Sequence, residues 1–204
     1  SWEKAETAMQ KQALSYALDK AGISSDQLDY VFAGDLLNQC IATSYSSGHR
    51  TPLFSAYTAL LTMAEGMSLA AMLVDGGFAS YAAALTSSHF LLGGAPVPQP
   101  SGVRWAKAPT AQWTTTGSGA IILSRKGTGP FITHVTTGKV VDKGITDANN
   151  MGLPWPPPPT PHSTPILRKP DAPPDFYDLI VTGDLGSLGK EIVTDFSNGM
   201  AIDL

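Results

Sequence analysis

The sequence predicts an α/β fold built from a duplicated half-domain. Two segments, one starting at Ser24 and the other at Pro173, align without a gap. Each reads as a turn, a short apolar run and a closing Gly-Asp-Leu triplet, which begins at Gly34 in the first copy and at Gly183 in the second. A short apolar run bounded by turn residues is typical of a buried parallel strand that enters a loop at its carboxyl end. The repeat therefore predicts a first half-domain and, near the end of the sequence, the start of a second.

The composition limits the function classes. The 204 residues are 43% hydrophobic and 15% charged, with a net charge of −4, which fits one large domain or one and a half smaller ones. The acidic balance gives no electrostatic footprint for nucleic acid, and no apolar run reaches the roughly 18–20 residues that span a bilayer. The single cysteine, Cys40, excludes an internal disulfide and a cysteine zinc site. With no signal peptide expected before Trp2, we predict a soluble intracellular protein.

The first elements follow from apolar periodicity. An amphipathic helix is predicted over 2–21, with Ala5, Met9, Leu14 and Leu18 among its apolar residues, and Gly22 ends it. The first strand is predicted over 28–33, a short helix over 36–48 and a short strand over 52–57.

The next segment, 58–75, is apolar on nearly every side, which predicts a buried helix that ends at Gly76-Gly77. A strand parallel to the first is predicted over 81–86. Two further strands, predicted over 119–124 and 131–141, are expected to be antiparallel neighbours.

A proline-rich segment precedes the second copy of the repeat. Residues 153–174 hold ten of the sixteen prolines, and a run of prolines cannot form a helix interior. Either this segment is a linker, which we favour, or it is an exposed ligand for a proline-binding partner. A strand over 179–182 and a weak helix over 186–196 are predicted after it.

Several motifs together resemble one family. They occupy residues 2–6, 33–39, 73–79, 85–89, 109–120, 138–147 and 177–186. In this order they resemble the stage V sporulation protein AD family, thiolase-like members of the SpoVA proteins of spore-forming Firmicutes. The resemblance implies a thiolase fold with two similar βαβαβ-type halves, in agreement with the internal repeat.

The resemblance also implies a domain organisation. We expect a thiolase-like amino-terminal half over 1–150, a proline-rich connector over 151–175 and the start of the second thiolase-like half over 176–204. Most of an amino-terminal lead and most of the second half are expected to be absent from this sequence.

The function that the resemblance implies is binding of dipicolinic acid and its movement into the forespore. Other SpoVA proteins at the spore inner membrane are the expected partners, and peripheral association through them is the expected location. No cofactor is expected.

Catalysis is not expected, because the nucleophile position is occupied by an inert residue. Thiolase-like enzymes use a cysteine at the amino terminus of the central helix, where the helix dipole stabilises the thiolate. The resemblance places Leu60 at that position. Cys40 lies too far upstream to replace it.

The candidate ligand-binding residues are His89, Ser87, Ser88, Asp35 and Asn38. His89 follows a predicted strand at its carboxyl end, where an imidazole and the neighbouring hydroxyls of Ser87 and Ser88 can bind a carboxylate. The alternative for His89 is a hydrogen bond to a neighbouring loop. Asp35 either forms a carboxylate couple with the equivalent Asp184 or, as we favour, caps the turn that follows it. No histidine pair has metal-ligand spacing.

Two other functions remain open from the sequence. One is a degenerate thiolase or ketoacyl-synthase-like acyltransferase, which Leu60 argues against; the other is an interaction scaffold that uses the proline-rich segment. Half of a duplicated fold exposes apolar surface, so we also predict association, most simply as a homodimer.

Overall fold

A computed structural model describes residues 2–35, 43–44, 51–55, 62–88, 115–137, 178–179, 181, 189–192 and 194–195. The chain forms two compact units, Ser1–Gln99 with Thr114–Val135, and Pro100–Trp113 with Thr136–Leu204. In the second unit, residues 189–192 and 194–195 are helical, as predicted for 186–196.

The first unit contains two helices and four strands with described bounds, and residues 43–44 are also helical. These helices and strands are α1 (Trp2–Ala21), β1 (Tyr30–Asp35), β2 (Leu53–Ser55), α2 (Thr62–Asp75), β3 (Tyr81–Ser88) and β4 (Gly117–Ser124), with a 3₁₀ turn at Ser25–Gln27 after α1. The strands form one sheet in the order β2-β1-β3-β4. Strand β1 is parallel to β2 and to β3, whereas β4 is antiparallel to β3. This mixed sheet between helices confirms the predicted α/β class.

Helix α1 covers one face of the sheet. Its residues Leu14 and Leu18 pack on Val31 and Ala33 of β1 and on Leu85 of β3. Gly22 ends the helix with a φ of +68°, a conformation that glycine adopts without strain. The predicted helix over 2–21 is confirmed.

Helix α2 covers the opposite face of the sheet. It packs on Phe32 and Ala82, which are next in sequence to residues that pack on α1, and neighbouring residues of a strand point to opposite faces. The helix approaches closely: a Cβ built on Gly66 would lie 3.3 Å from the Cβ of Ala84 and 3.4 Å from that of Phe32. The consecutive residues Ala82, Ala83 and Ala84 are fully buried. Small side chains on both faces of β3 therefore let a helix pack on each side.

The expectation that this helix is buried all round is wrong. Only a stripe at every fourth position is buried, formed by Thr62, Gly66, Ala70 and Val74. Leu69 and Met72 on the same helix are exposed. The helix is apolar on two faces but packs on the sheet through one.

Strand β1 begins and ends two residues later than predicted, because Gly34 and Asp35 pair with Thr86 and Ser87 of β3. At its start, the Asp29 carboxylate accepts the backbone N–H groups of Ser80, at 2.7 Å, and of Tyr81, at 3.2 Å. This pair of hydrogen bonds fixes the beginning of β3 beside β1.

Two predicted strands do not form where the structure describes them. Residues 131–137 are not in a strand, and the antiparallel neighbour of β4 is β3 instead. Residues Leu179 and Val181 are also outside any strand, with 78% and 81% of their surfaces exposed. An apolar run becomes a strand only where another strand pairs with it, and no pairing is recorded for either run among the described residues.

Candidate functional site

The candidate site lies at the carboxyl ends of β1 and β3. Here Asp35 of β1 pairs with Ser87 of β3, and Ser87 pairs with Ser118 of β4. These three residues continue the apolar row formed by Ala33, Leu85 and Ala120 on the face that α1 covers. They lie two positions later on β1 and β3 and two positions earlier on the antiparallel β4. The row is polar at the edge where α/β proteins bind their ligands.

The face of helix α1 that packs on the sheet also changes from apolar to polar toward this edge. Leu18, Leu14, Gln10 and Glu6 recur every four residues, and all four are buried. Gln10 and Glu6 have no exposed surface. Since residues four apart share a helix face, the two polar residues face the polar ends of the strands, as the leucines face the apolar rows.

Gln10 is the centre of a buried hydrogen-bond network. Its Nε2 donates to Ser87 Oγ at 2.8 Å and to Thr43 Oγ1 at 3.1 Å. The carbonyl oxygen of Gly34 lies 3.4 Å from the same nitrogen. One side-chain amide thus contacts the ends of β1 and β3 and the residue at position 43.

Each of the two hydroxyls donates a hydrogen bond to a buried carboxyl group. Ser87 Oγ donates to Glu6 Oε1 at 2.7 Å. Thr43 Oγ1 donates to Asp35 Oδ2 at 2.6 Å, and the backbone N–H of Thr43 donates to the same oxygen at 2.8 Å. We refer to Glu6, Ser87, Gln10, Thr43 and Asp35, joined in that order, as the buried relay.

The direction of the donors follows from the chemistry of the groups. An amide nitrogen carries two hydrogens and a hydroxyl carries one. Gln10 can therefore donate one hydrogen bond to each hydroxyl, while each hydroxyl donates one to a carboxyl oxygen. Turning the amide round would place Gln10 Oε1 against two hydroxyls that already donate elsewhere. The relay is therefore suited to holding strand ends and helix together. It is closed to solvent, which does not suit a nucleophile.

Ser88, the last residue of β3, makes a separate link. Its hydroxyl donates to the carbonyl oxygen of Thr115, just before β4 begins. Ser88 is half-buried, whereas Ser87 and Asp35 are almost completely buried. Among these three predicted site residues, Ser88 is the most accessible.

The structure thus brings Asp35, Ser87 and Ser88 to one edge of the sheet. Asn38, His89 and Asp184 lie outside the described residues, so the proposed Asp35–Asp184 couple stays a prediction. The capping alternative for Asp35 also stays a prediction, because its bonds come from Thr43, eight residues on, and a turn cap accepts from residues two or three positions on.

Sequence reasoning missed three members of the relay. They are Glu6, Gln10 and Thr43. For the first two a signal exists, since they continue the four-residue spacing of Leu14 and Leu18 toward the start of α1. Thr43 has no such signal, because its partners Asp35 and Gln10 are eight and 33 positions away in the sequence.

Two kinds of feature are absent from the described part of the chain. Within it, no group of three or more His, Cys, Asp or Glu side chains is placed to hold a metal ion. Its helices include none long and apolar enough to cross a membrane.

Comparison with known proteins gives a match over the full sequence. The model of the family described as Stage V sporulation protein AD (SpoVAD) matches residues 1–204. The chain is also 39% identical, over 196 residues, to the Stage V sporulation protein AD of Bacillus subtilis (strain 168). That alignment covers 96% of this chain and 58% of the relative, so the chain spans less than two thirds of the relative's length.

Similarity to solved structures is partial. The chain is similar to the 3-oxoacyl-[acyl-carrier-protein] synthase III from Aquifex aeolicus VF5, with a TM-score of 0.39 and 17% identity over 59% of this chain and 39% of that one. It is similar to the priming β-ketosynthase from the R1128 polyketide biosynthetic pathway, with a TM-score of 0.38 and 16% identity over 58% of this chain and 35% of that one.

Proposed function

The chain belongs to the stage V sporulation protein AD family, as the motifs in its sequence predict, and we propose that it binds dipicolinate without catalysing a reaction. In this proposal the strand-end edge of the sheet holds the small aromatic dicarboxylate. Other SpoVA proteins at the spore inner membrane then receive it. The protein reaches that membrane through these partners.

One observation carries the proposal. Three of the five residues predicted to bind ligand, Asp35, Ser87 and Ser88, meet at the carboxyl ends of adjacent parallel strands. Ligands of open α/β sheets bind at this edge, where strand ends and loops supply polar groups. The polar row replaces an apolar core at that point, which supports a site rather than a continuation of the packing.

The charges at this edge indicate which of the predicted residues contact the ligand directly. Asp35 is buried and accepts hydrogen bonds from Thr43, and a carboxyl group does not attract a dianion. We therefore assign the direct contacts to the predicted residues Asn38 and His89, and to Ser88 where the ligand replaces the carbonyl oxygen of Thr115 as the acceptor of its hydroxyl. Asp35 and Ser87 support the contacts from beneath.

The non-catalytic part of the proposal is supported by the residue at the nucleophile position. Leu60, which lies outside the described residues, has no group that can form an acyl intermediate. Incubation with acyl-CoA donors followed by intact-mass measurement should therefore show no acylated protein. An acyl adduct at a stoichiometric level would instead support the acyltransferase alternative.

Isothermal titration of the folded chain with dipicolinate tests the binding. Saturable heat with dipicolinate, together with at least tenfold weaker binding of a pyridine monocarboxylate, is the expected result, because a second carboxylate adds charge-assisted hydrogen bonds. The absence of heat from a sample with a cooperative unfolding transition would contradict the proposal for this chain.

A pair of histidine variants makes the test specific. His89→Ala should weaken dipicolinate binding, whereas His134→Ala should not, since His134 is exposed on the segment after β4. Equal losses in both variants would remove His89 from the site.

A further inference from the structure

We propose that Gln10 is the positioning residue of the strand-end site: its amide fixes the end of β1, the end of β3 and residue 43 relative to α1. The role in ligand binding rests on the proposed function, whereas the role in positioning does not. Gln10 shares the four-residue spacing of Leu14 and Leu18 on the first helix, but its partners at the strand ends lie far from it along the chain.

The first argument is the reach of one side chain. Gln10 Nε2 contacts groups that are 24, 33 and 77 positions away in the sequence, at Gly34, Thr43 and Ser87. Buried side-chain hydrogen bonds over such separations depend on the tertiary fold and specify one arrangement of it. The Gln10 side chain touches both halves of the relay.

The second argument is what remains when the amide is removed. The relay then divides into two separate pairs, Glu6 with Ser87 and Thr43 with Asp35. The first pair ties α1 to β3, and the second closes the chain after β1 on itself. Through its bonds to Ser87 and Thr43, the Gln10 side chain connects these two pairs.

The third argument concerns stability. Gln10 Oε1 is buried and has no hydrogen-bond partner within the described residues. A buried acceptor without a donor carries a desolvation penalty that offsets part of what the two donated hydrogen bonds contribute. We therefore expect the amide to add little net stability, since the ladder between β1 and β3, which includes Asp35 and Ser87, does not involve it. Its placement is explained by geometry, since two donors on one atom can join two hydroxyls.

The test replaces Gln10 by methionine, which has a similar volume and no donor, and compares it with Leu14→Met one turn along the same buried stripe. Amide hydrogen exchange monitored by NMR reports on positioning without any ligand. We expect exchange at the Thr43 N–H to accelerate about tenfold in Gln10→Met, since its neighbouring hydroxyl loses a partner. In Leu14→Met it should stay near the wild-type rate.

Dipicolinate titration of the same proteins supplies the second measurement. Gln10→Met should bind about tenfold more weakly than Leu14→Met at matched stability, because the contacts above the relay lose their support. Unchanged exchange and unchanged affinity in folded Gln10→Met would overturn the positioning role and leave Gln10 as a space-filling residue. If wild-type protein binds no dipicolinate but the exchange effect is present, positioning stands and the proposed function fails.

A second pair of variants keeps the test decisive if Gln10→Met does not fold. Thr43→Val removes the hydroxyl and keeps the shape, whereas Thr43→Ser keeps the hydroxyl. Thr43→Val should reproduce the faster exchange at the backbone N–H of residue 43, and Thr43→Ser should behave as wild type. Identical behaviour of the two would contradict a relay that passes through Thr43 Oγ1.

Discussion

Asp35 accepts two hydrogen bonds from Thr43 at a single carboxylate oxygen, from the backbone N–H at 2.8 Å and from the hydroxyl at 2.6 Å. The two residues are eight positions apart, and both are buried. Their contact closes the base of the segment that follows β1. The same oxygen is one end of the buried relay, so the base of this segment and the first helix are held by one set of bonds.

Removing the Asp35 carboxylate should therefore be strongly destabilising. Asp35→Ala leaves a buried N–H and a buried hydroxyl without their acceptor, and hydrogen bonds to charged groups contribute about 1.5–3 kcal/mol each. We expect the free energy of unfolding to fall by about 2–4 kcal/mol, measured by urea denaturation.

Two variants control for this effect. Asp35→Asn keeps one acceptor and should lose less stability than Asp35→Ala. Asp26→Ala removes an exposed carboxylate and should change stability by at most about 0.5 kcal/mol. If the alanine variants at positions 35 and 26 unfold at the same urea concentration, the Thr43 contact contributes nothing.

The close approach of α2 to the sheet gives a second prediction. Gly66→Leu places a large side chain where a Cβ alone would lie 3.3 Å from Ala84 and 3.4 Å from Phe32. Overpacking of a buried contact typically costs about 1–3 kcal/mol, and the backbone of β3 leaves little room to move. Thermal unfolding should show a clear decrease in stability.

The matched control is Ala64→Leu on the same helix, where the side chain is exposed. Gly66→Leu raises helix propensity, whereas Ala64→Leu leaves it nearly unchanged, so a lower stability of Gly66→Leu reports packing. A Gly66→Leu protein as stable as wild type would mean that α2 can move off the sheet at no cost.

The parts of the fold that could be predicted from the sequence are those set by local pattern. The first helix, its glycine stop and the positions of β1 and β3 follow from spacing and from glycine. Asp35 and Ser87 were placed at strand ends for the same reason. Each of these features depends on neighbours within a few residues.

The relay could not be predicted because its partners are distant in sequence. Glu6 and Gln10 carry polar side chains, which a periodicity argument assigns to solvent. Their burial depends on Ser87, which lies 81 positions from Glu6 and 77 from Gln10. The failure at 131–137 has a related cause, since β-pairing is a choice between distant partners, and β4 pairs with β3.

The two helix faces predict different costs for losing a leucine. Leu14 is buried between α1 and the sheet, whereas Leu69 lies on the outer side of α2 with 37% of its surface exposed. Leu14→Ala should lower the free energy of unfolding by about 2–5 kcal/mol, through lost transfer energy and a cavity. For Leu69→Ala we expect a loss of about 1 kcal/mol or less.

Chemical denaturation of the two variants under identical conditions measures this difference. The m-values should remain equal, because neither variant changes the surface exposed on unfolding to a large extent. Equal losses of stability would mean that Leu69 is covered in solution, most simply by a second molecule.

Association is the remaining prediction from the sequence, and the outer face of α2 supports it. Leu69 and Met72 are 37% and 43% exposed, on a helix whose composition is typical of burial on every side. Exposed apolar residues grouped on one helix mark interaction surfaces. We expect light scattering to detect a homodimer at high protein concentration.

The variant Leu69→Lys/Met72→Glu tests whether this face forms the dimer. The two substitutions do not change the stripe of α2 that faces the sheet. They place two charged side chains, three positions apart, in any apolar interface on this face, where their desolvation is unfavourable. The dimer should dissociate, whereas Tyr16→Lys on the exposed side of α1 should leave it intact. A wild-type chain that remains a monodisperse monomer would refute the prediction. A dimer that persists in the charged variant would place the interface on another surface, because two buried, oppositely charged side chains cannot replace the apolar area without a measurable loss of affinity.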